Sequence, residues 1–328
     1  MILGTWSDAV LRLFTPSLIK DPAIRRWGGS RLMRTAKAHN RLRYRARDRE
    51  HRTAYAHHWE ELILDHNGGR PLGRRLEMKD GWLRDDSHSL PHLDALLEQT
   101  DAIIRERGGQ KHSDIQQPFL RSLLFPGDLE KYPAFLDFIL SAEVLDAAAR
   151  HLGTVPVLSR TRPPGVRFME SNAALDPGTG GPFRESQLYH LDLHDSPLVY
   201  VLVLARDTPI EAGPWHFLPA GASARAVQAL DYRKPGSAYR VTNERMHTAV
   251  PEDETVVFSG RRGDVLFIDS STCFHYGSRN ATIPRFQVMY ALTSPCRTDF
   301  SLTWMPQIPF SCPPGASKLS RMVLEPWR

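Results

Sequence analysis

The sequence predicts an α+β protein in which helices come first and an antiparallel β unit follows. Three observations carry this reading. Before Gly153, apolar residues recur at helical spacing in segments that close on Gly or Pro. After Gly153 the texture changes to short strand-like runs: "GVRFMES", "SQLYHLDL", "LVYVLVLA", "WHFLPA", "TVVFSG", "GDVLFID" and "RFQVMYAL", most of them separated by Pro or Gly. Short strands so punctuated read as a sandwich or barrel. No internal repeat or low-complexity tract competes with that architecture.

The elements follow in order. In "MILGTWSDAVLRLF", Ile2, Leu3, Trp6, Val10, Leu13 and Phe14 form one apolar stripe, and Pro16 closes the segment. Next, Arg41, Arg45 and Arg49 recur every four residues in the basic run from Arg31 to Arg52 and share a helix face. That face reads in two ways. It is a docking surface for phosphates or an anionic membrane, or a solvated face whose arginine stems cover apolar neighbours. Packing against the rest of the chain is the expectation adopted here, since Trp6, Leu13 and Phe14 would complete a core without a partner. The loop "GGRPLGRR" at residues 68–75 marks a boundary, giving a basic helical extension over 1–78 and a catalytic domain over 79–328. Leu93, Leu96, Leu97, Ile103 and Ile104 predict a helix with Ser89 as its N-cap and Gly108 near its end. A further helix opens at Ser141 and stops at Gly153.

Composition bounds the function classes. A chain of 328 residues, 41% apolar and 24% charged, is an ordinary globular protein that can bury a core without staples. Cys273, Cys296 and Cys312 show no C-x-x-C spacing and are too few for a disulfide framework, so a reducing, cytoplasmic setting is expected. The longest apolar run, Pro197 to Ala205, has strand length and cannot span a bilayer. The N-terminus has no basic n-region or A-x-A site, so no Sec signal is expected. A net charge of +5 permits an acidic partner without demanding one, and no nucleic-acid partner is expected.

The chemistry concentrates in "YHLDLHD", residues 189–195, just before the apolar run. On a strand, His190 and Asp192 point to one face and offer an imidazole nitrogen and a carboxylate oxygen. His275, after the apolar strand that "GD" introduces, supplies a third ligand. Two histidines and one carboxylate on one face of a metal leave the opposite face open, as in the facial triad of non-haem Fe(II) oxygenases. Arg285 lies ten residues after His275 in "IPRFQVMYAL". Alternation puts Arg285, Gln287 and Met289 on one face and Phe286, Val288 and Tyr290 on the other. An arginine facing the interior is costly unless it meets an anion, and a keto-acid carboxylate suits its fork. His194 and Asp195 read as strand-end polar residues, with His194 on the same face as the ligands. His216 reads as a strand histidine, and His57 and His58 lack the i, i+4 spacing of a helical metal site. Arg167, Arg184, Arg279 and Tyr189 lie near the expected mouth as substrate-site candidates.

From "DGWLRDD" at Asp80 through "MYALTSP" at Pro295 the chain resembles the phytanoyl-CoA dioxygenase family of Fe(II)/2-oxoglutarate oxygenases. The matching pieces are "DGWL", "LDALLEQ", "ILSAEVLDAAARHLGTVP", the H-x-D at His190 and Asp192, "EAGPWHFLPAGAS", His275 and Arg285. The resemblance implies a double-stranded β-helix, or jelly roll, with packed helices. It implies iron ligation by His190, Asp192 and His275, and a 2-oxoglutarate carboxylate on Arg285. Several members place a Gln three residues before the first ligand to contact 2-oxoglutarate, and Gln187 stands there. Where members often carry Ser or Thr two residues after the distal His, this chain has Gly277, and Ser278 is the next hydroxyl. The turn "LPAGAS" lacks the histidine of the family's "PGSH". Related halogenases put Ala or Gly at the Asp192 position, so the carboxylate implies hydroxylation or another oxidation.

The expected function is therefore an oxidoreductase: a dioxygenase using Fe(II), 2-oxoglutarate and O2 to hydroxylate an unactivated C–H of a small molecule or lipid-linked sugar, with the basic extension favouring an anionic one. Two other classes stay open. A Zn-dependent hydrolase could use the same His/Asp/His site but would have no need for Arg285. A membrane- or nucleic-acid-associated binding protein with a vestigial site would need no intact ligands. Substrate and oligomeric state are not specified by the sequence.

Overall fold

The computed structural model describes residues 34–110, 119–161, 163–175, 181–232, 234, 239–299, 302, 307–313 and 315–324. The predicted apolar stripe over residues 2–14 and the start of the basic run lie outside the described residues. Helices α1 (Arg45–His66), α2 (Leu93–Arg107), α3 (Asp128–Lys131), α4 (Ala134–Ile139) and α5 (Ala142–Leu152) precede most of the sheet. Strands β1 (Trp82–Asp85), β2 (Leu120–Ser122) and β3 (Val157–Leu158) are interleaved with them. Then come β4 (Val166–Ser171), β5 (Leu198–Leu204), β6 (Trp215–Phe217), α6 (Ala220–Ala229), α7 (Asn243–Met246), β7 (Val256–Phe258), β8 (Val265–Asp269), β9 (His275–Tyr276), β10 (Arg285–Thr293) and α8 (Lys318–Leu324).

The larger sheet runs β1-β8-β5-β10-β4-β2, with β3 also on β10, and the smaller runs β7-β6-β9. Every pairing is antiparallel. An isolated bridge, His190 to His275, adds the Tyr189–His190 stretch to the free side of β9. From β4 onward the chain alternates between sheets: β4 large, Tyr189–His190 small, β5 large, β6 and β7 small, β8 large, β9 small, β10 large. That winding is a jelly roll, and the fold class predicted from sequence is the one observed.

Three apolar layers hold it together. Outside the large sheet, Val199, Val201 and Val203 of β5 and Phe286, Val288 and Tyr290 of β10 pack on the helices. Between the sheets, Leu198, Tyr200, Leu202 and Met289 meet Trp215 and Phe217. Outside the small sheet, Leu191, Phe274 and Tyr276 pack on Ala222 and Ala226 of α6. β5 is buried on both faces, which is why "LVYVLVL" reads as a continuous apolar run instead of an alternating one.

The helix ends show where sequence cues work. α5 has Ser141 at its N-cap and left-handed Gly153 at its C-cap, as predicted, although the Ser141 hydroxyl bonds the Phe138 carbonyl instead of a helix amide. α2 starts later than predicted: His92, not Ser89, is its N-cap. The Ser87 hydroxyl accepts the Ser89 amide, and a further turn intervenes. On α1, Arg45 and Arg49 are exposed, as is Arg41 in the helical stretch before it. The opposite face buries Ala54, Trp59, Leu62 and Ile63 in the core that covers the large sheet. Trp59 donates to Asp146 of α5 at 2.8 Å. No helix among the described residues is long and apolar enough to cross a membrane.

Candidate metal and cosubstrate site

Backbone pairing brings the histidines together. His190 and His275 exchange both amide hydrogen bonds at 3.1 Å, and their rings lie 4.3 Å apart. The pairing ends there: the Asp192 amide goes instead to the Ser270 carbonyl at 2.9 Å, so Asp192 leaves the strand predicted over "SQLYHLDL". It still converges on the histidines. One ligand atom from each of His190, Asp192 and His275 lies within 4.8 Å of the others, and this is the metal-capable cluster found among the described residues. His275 Nε2 is 3.7 Å from Asp192 Oδ2.

The protonation states suit a cation. Nδ1 of His190 lies 2.8 Å from the Leu188 carbonyl, and Nδ1 of His275 lies 3.0 Å from the Cys273 carbonyl. A carbonyl only accepts, so each Nδ1 carries the proton and each Nε2 presents its lone pair. Burial pushes both imidazoles below their ordinary pKa, His190 furthest because His275 adds to the effect. Burial alone would raise the Asp192 carboxyl, but electrostatic attraction to His275 and His190 outweighs it and holds it low. Two neutral imidazole nitrogens and an ionised carboxylate fit a borderline divalent metal. Trp215 stacks on the His275 ring at 4.8 Å and 4°, fixing its plane.

Arg285, the first residue of β10, is buried beside this cluster. Its Nη1 donates to the Gly213 carbonyl and its Nη2 to the Ser278 hydroxyl at 3.2 Å. Its Nε is buried without a partner, and among the described residues no carboxylate pairs with it. Burial pushes its pKa down to about 10, which still leaves it cationic at neutral pH. A buried cation with no counter-ion, in a cavity, calls for an anionic ligand. The Ser171 hydroxyl donates to Ser278 at 2.7 Å, so two hydroxyls and a guanidinium converge.

Ser278 adopts a left-handed conformation (φ 61°) with its hydroxyl on the Arg285 guanidinium. Gln187 reaches the cluster indirectly. Its Nε2 donates to the Ser278 carbonyl at 2.7 Å and its Oε1 accepts the Arg184 amide at 3.2 Å, so both ends of the amide are engaged by backbone. Its described role is to hold the loop that carries Ser278.

The other candidates separate. His194 lines the cavity and bonds Asp299 at 2.9 Å. Asp195 turns away, buried, and accepts from the amide and hydroxyl of Ser294. Arg279 is stacked 3.4 Å over Tyr276 and donates to Asn243 and the Gln187 carbonyl, so it is structural. Tyr189 packs against Tyr276 with its hydroxyl on Thr255. His216 stacks on Tyr276, and Arg184, His57 and His58 are exposed. Arg167 does line the cavity. Sequence reasoning left Ser171, Tyr200, Trp215 and Arg240 unassigned, all in that lining. A period of two from Ser171 back to Arg167 on β4 was the one signal available for the first of these. The cavity measures about 1180 Å³, larger than most small-molecule sites.

The sequence matches no family model and no curated protein. Solved structures do align. The non-heme alpha-ketoglutarate-dependent carbocyclase SnoK from nogalamycin biosynthesis is 17% identical, over 65% of this chain and 79% of that one, with a TM-score of 0.41. EctD from S. alaskensis with 2-oxoglutarate and 5-hydroxyectoine is 13% identical, over 66% and 73%, with a TM-score of 0.40. HygX from Streptomyces hygroscopicus with nickel, 2-oxoglutarate and hygromycin B is 14% identical, over 65% and 82%, with a TM-score of 0.38. Likenesses of this size assign no activity to this chain.

Proposed function

We propose that this protein is an Fe(II)- and 2-oxoglutarate-dependent oxygenase that hydroxylates a C–H bond of a small organic substrate. The carrying observation is the pairing of a His190/Asp192/His275 cluster with a buried, unneutralised Arg285 in one cavity. A metal site alone would also suit a Zn-dependent hydrolase, but hydrolysis gives no task to Arg285. The sequence resemblance to phytanoyl-CoA dioxygenases supports the same reading.

In this reading His190, Asp192 and His275 would hold iron, and the cavity they line would admit 2-oxoglutarate and O2. The bound iron and cosubstrate supply the oxidising power, with succinate and carbon dioxide as coproducts. The protein's own residues do the rest. Arg285 and Ser278 bind the distal carboxylate of 2-oxoglutarate and set its orientation. Ser171 keeps the Ser278 hydroxyl turned toward the guanidinium, and Gln187 keeps the Ser278 loop in register. The Leu188 and Cys273 carbonyls lock the imidazole tautomers.

The test is metal content and turnover. Protein purified without added metal and reconstituted anaerobically with Fe(II) should bind 2-oxoglutarate and, on admitting O2, form succinate. Zinc as the native metal, with no 2-oxoglutarate binding after iron loading, would support the hydrolase instead.

A further inference from the structure

Arg167 is the second residue of β4, opposite Met289 of β10, and lines the cavity that also holds His190, Asp192 and His275. Its guanidinium lies 5.3 Å from the centroid of the Tyr200 ring. Tyr200 and Asp192 line the same cavity. Tyr200 meets only part of the guanidinium: Nε and Nη2 are buried without a partner, and no carboxylate among the described residues pairs with it. Such a cation is destabilising unless something anionic completes it.

Gln287 is an independent second sign. It is 2% exposed, lines the same cavity, and has no partner at either Oε1 or Nε2. In the β10–β4 register Gln287 faces Met169 while Arg167 faces Met289, so the two are diagonal neighbours on the cavity face. The interior therefore carries a guanidinium and an amide that neither the metal nor the Arg285 cradle uses. Around them the walls are apolar, with Phe125, Leu129, Leu136, Met169, Met289 and Phe310.

We infer that Arg167, with Gln287 beside it, binds an acidic group of the substrate, and that the substrate is an amphipathic organic acid: a carboxylate or phosphate on an apolar body. This rests on the oxygenase reading, which assigns Arg285 to 2-oxoglutarate and leaves Arg167 to the substrate. The fork of Arg167 takes two acid oxygens, and the Gln287 amide donates to a third position on the same molecule. The apolar walls take the hydrocarbon body. Tyr200 backs the guanidinium on the cavity wall, so the acid end of the substrate is anchored there.

A matched pair of fluorescent probes tests this with the full-length protein at physiological salt. One is 1-anilinonaphthalene-8-sulfonate; the other is N-phenyl-1-naphthylamine, with the same rings and no acid. Wild type should bind the sulfonate at one saturable site at least about tenfold tighter than the neutral probe. Arg167→Met should abolish that preference and leave the neutral probe unaffected, Arg167→Lys should keep part of it, and Gln287→Leu should reduce it. Displacement by dodecanoate more than by dodecyl phosphate identifies a carboxylate, and the reverse a phosphate. Equal binding of the two probes by wild type, sulfonate binding unchanged in Arg167→Met, or displacement by dodecan-1-ol as readily as by either acid overturns the inference. Parallel 2-oxoglutarate titrations of the Fe(II) protein separate the two levels. Arg167→Met should bind 2-oxoglutarate like wild type. If wild type binds none, the oxygenase reading fails and takes this inference with it.

Discussion

A methyl group added at Gly277 would stand 3.3 Å from Nη1 of Arg285 and 3.3 Å from the Trp215 ring. A side chain at 277 is thus crowded by the guanidinium, and the nearby hydroxyl is supplied one residue later by Ser278. Gly277→Ala should therefore push the fork aside and weaken 2-oxoglutarate binding several-fold, with metal content unchanged; an unaltered affinity would refute the crowding argument. Arg285→Ala should cost about 2–4 kcal/mol of 2-oxoglutarate binding, because the carboxylate loses a desolvated charge partner. Arg285→Lys should recover only part, since a point charge replaces a planar fork. Equilibrium titration of the iron-loaded variants measures both. At this scale the sequence was legible wherever side-chain period alone decides. The alternation of Arg285, Gln287 and Met289 against Phe286, Val288 and Tyr290 is the observed division between cavity and helical layer. Gln187 was not legible in the same way. A short helical turn over Glu185–Gln187 aims its amide at the Ser278 carbonyl, and spacing does not reveal such a turn.

Helix α1 meets the β unit through its buried face. His51 is buried, and its Nδ1 lies 2.9 Å from the Val155 carbonyl, just before β3. Burial lowers the His51 pKa below its ordinary value. As pH falls through about 6.5, the unfolded chain takes up a proton that the folded one resists. The stabilisation is therefore complete above that pH and is lost below it. His51→Asn keeps a donor near the Nδ1 position and removes the titration. The gap in melting temperature between wild type and His51→Asn should narrow on going from about pH 7.5 to about pH 5. A gap that stays constant would show that His51 does not titrate between the folded and unfolded states. Elements with strong periodicity or a sustained apolar run, α2, α5, β5, β8 and β10, were readable from residue order. Those too short to show a period were not: β9 is two residues long, and β3 likewise. Their existence depends on partners supplied by distant segments, β6 for the one and β10 for the other.

Across the whole molecule, the segment before the β unit reaches toward the site. Lys37 donates to the Ser196 carbonyl at 2.6 Å, next to Asp195. Asn40 donates to the carbonyls of Arg297 and Asp299 at 2.8 and 2.7 Å, and Asp299 holds His194 in the cavity wall. Deleting residues 1–52 should therefore lower the melting temperature by several degrees and weaken binding at the His194 side of the cavity. A truncated protein with unchanged stability would mean that these bonds contribute nothing net. The larger plan was legible because two textures divide the chain near Gly153. The closing of the sheets over one cavity was not, because it needs the His190–His275 pairing across 85 residues, a register that local pattern does not encode. The central claim is that His190, Asp192 and His275 hold iron while Arg285 holds 2-oxoglutarate. Anaerobic titration of 2-oxoglutarate into the Fe(II)-loaded protein, followed by the visible charge-transfer absorption of the chelate, tests it most directly. Wild type should give a saturable band, Arg285→Ala should give the same band only at much higher 2-oxoglutarate, and His275→Ala should give none. A wild-type protein that yields no band, or an Arg285→Ala variant that saturates at the wild-type concentration, would contradict it.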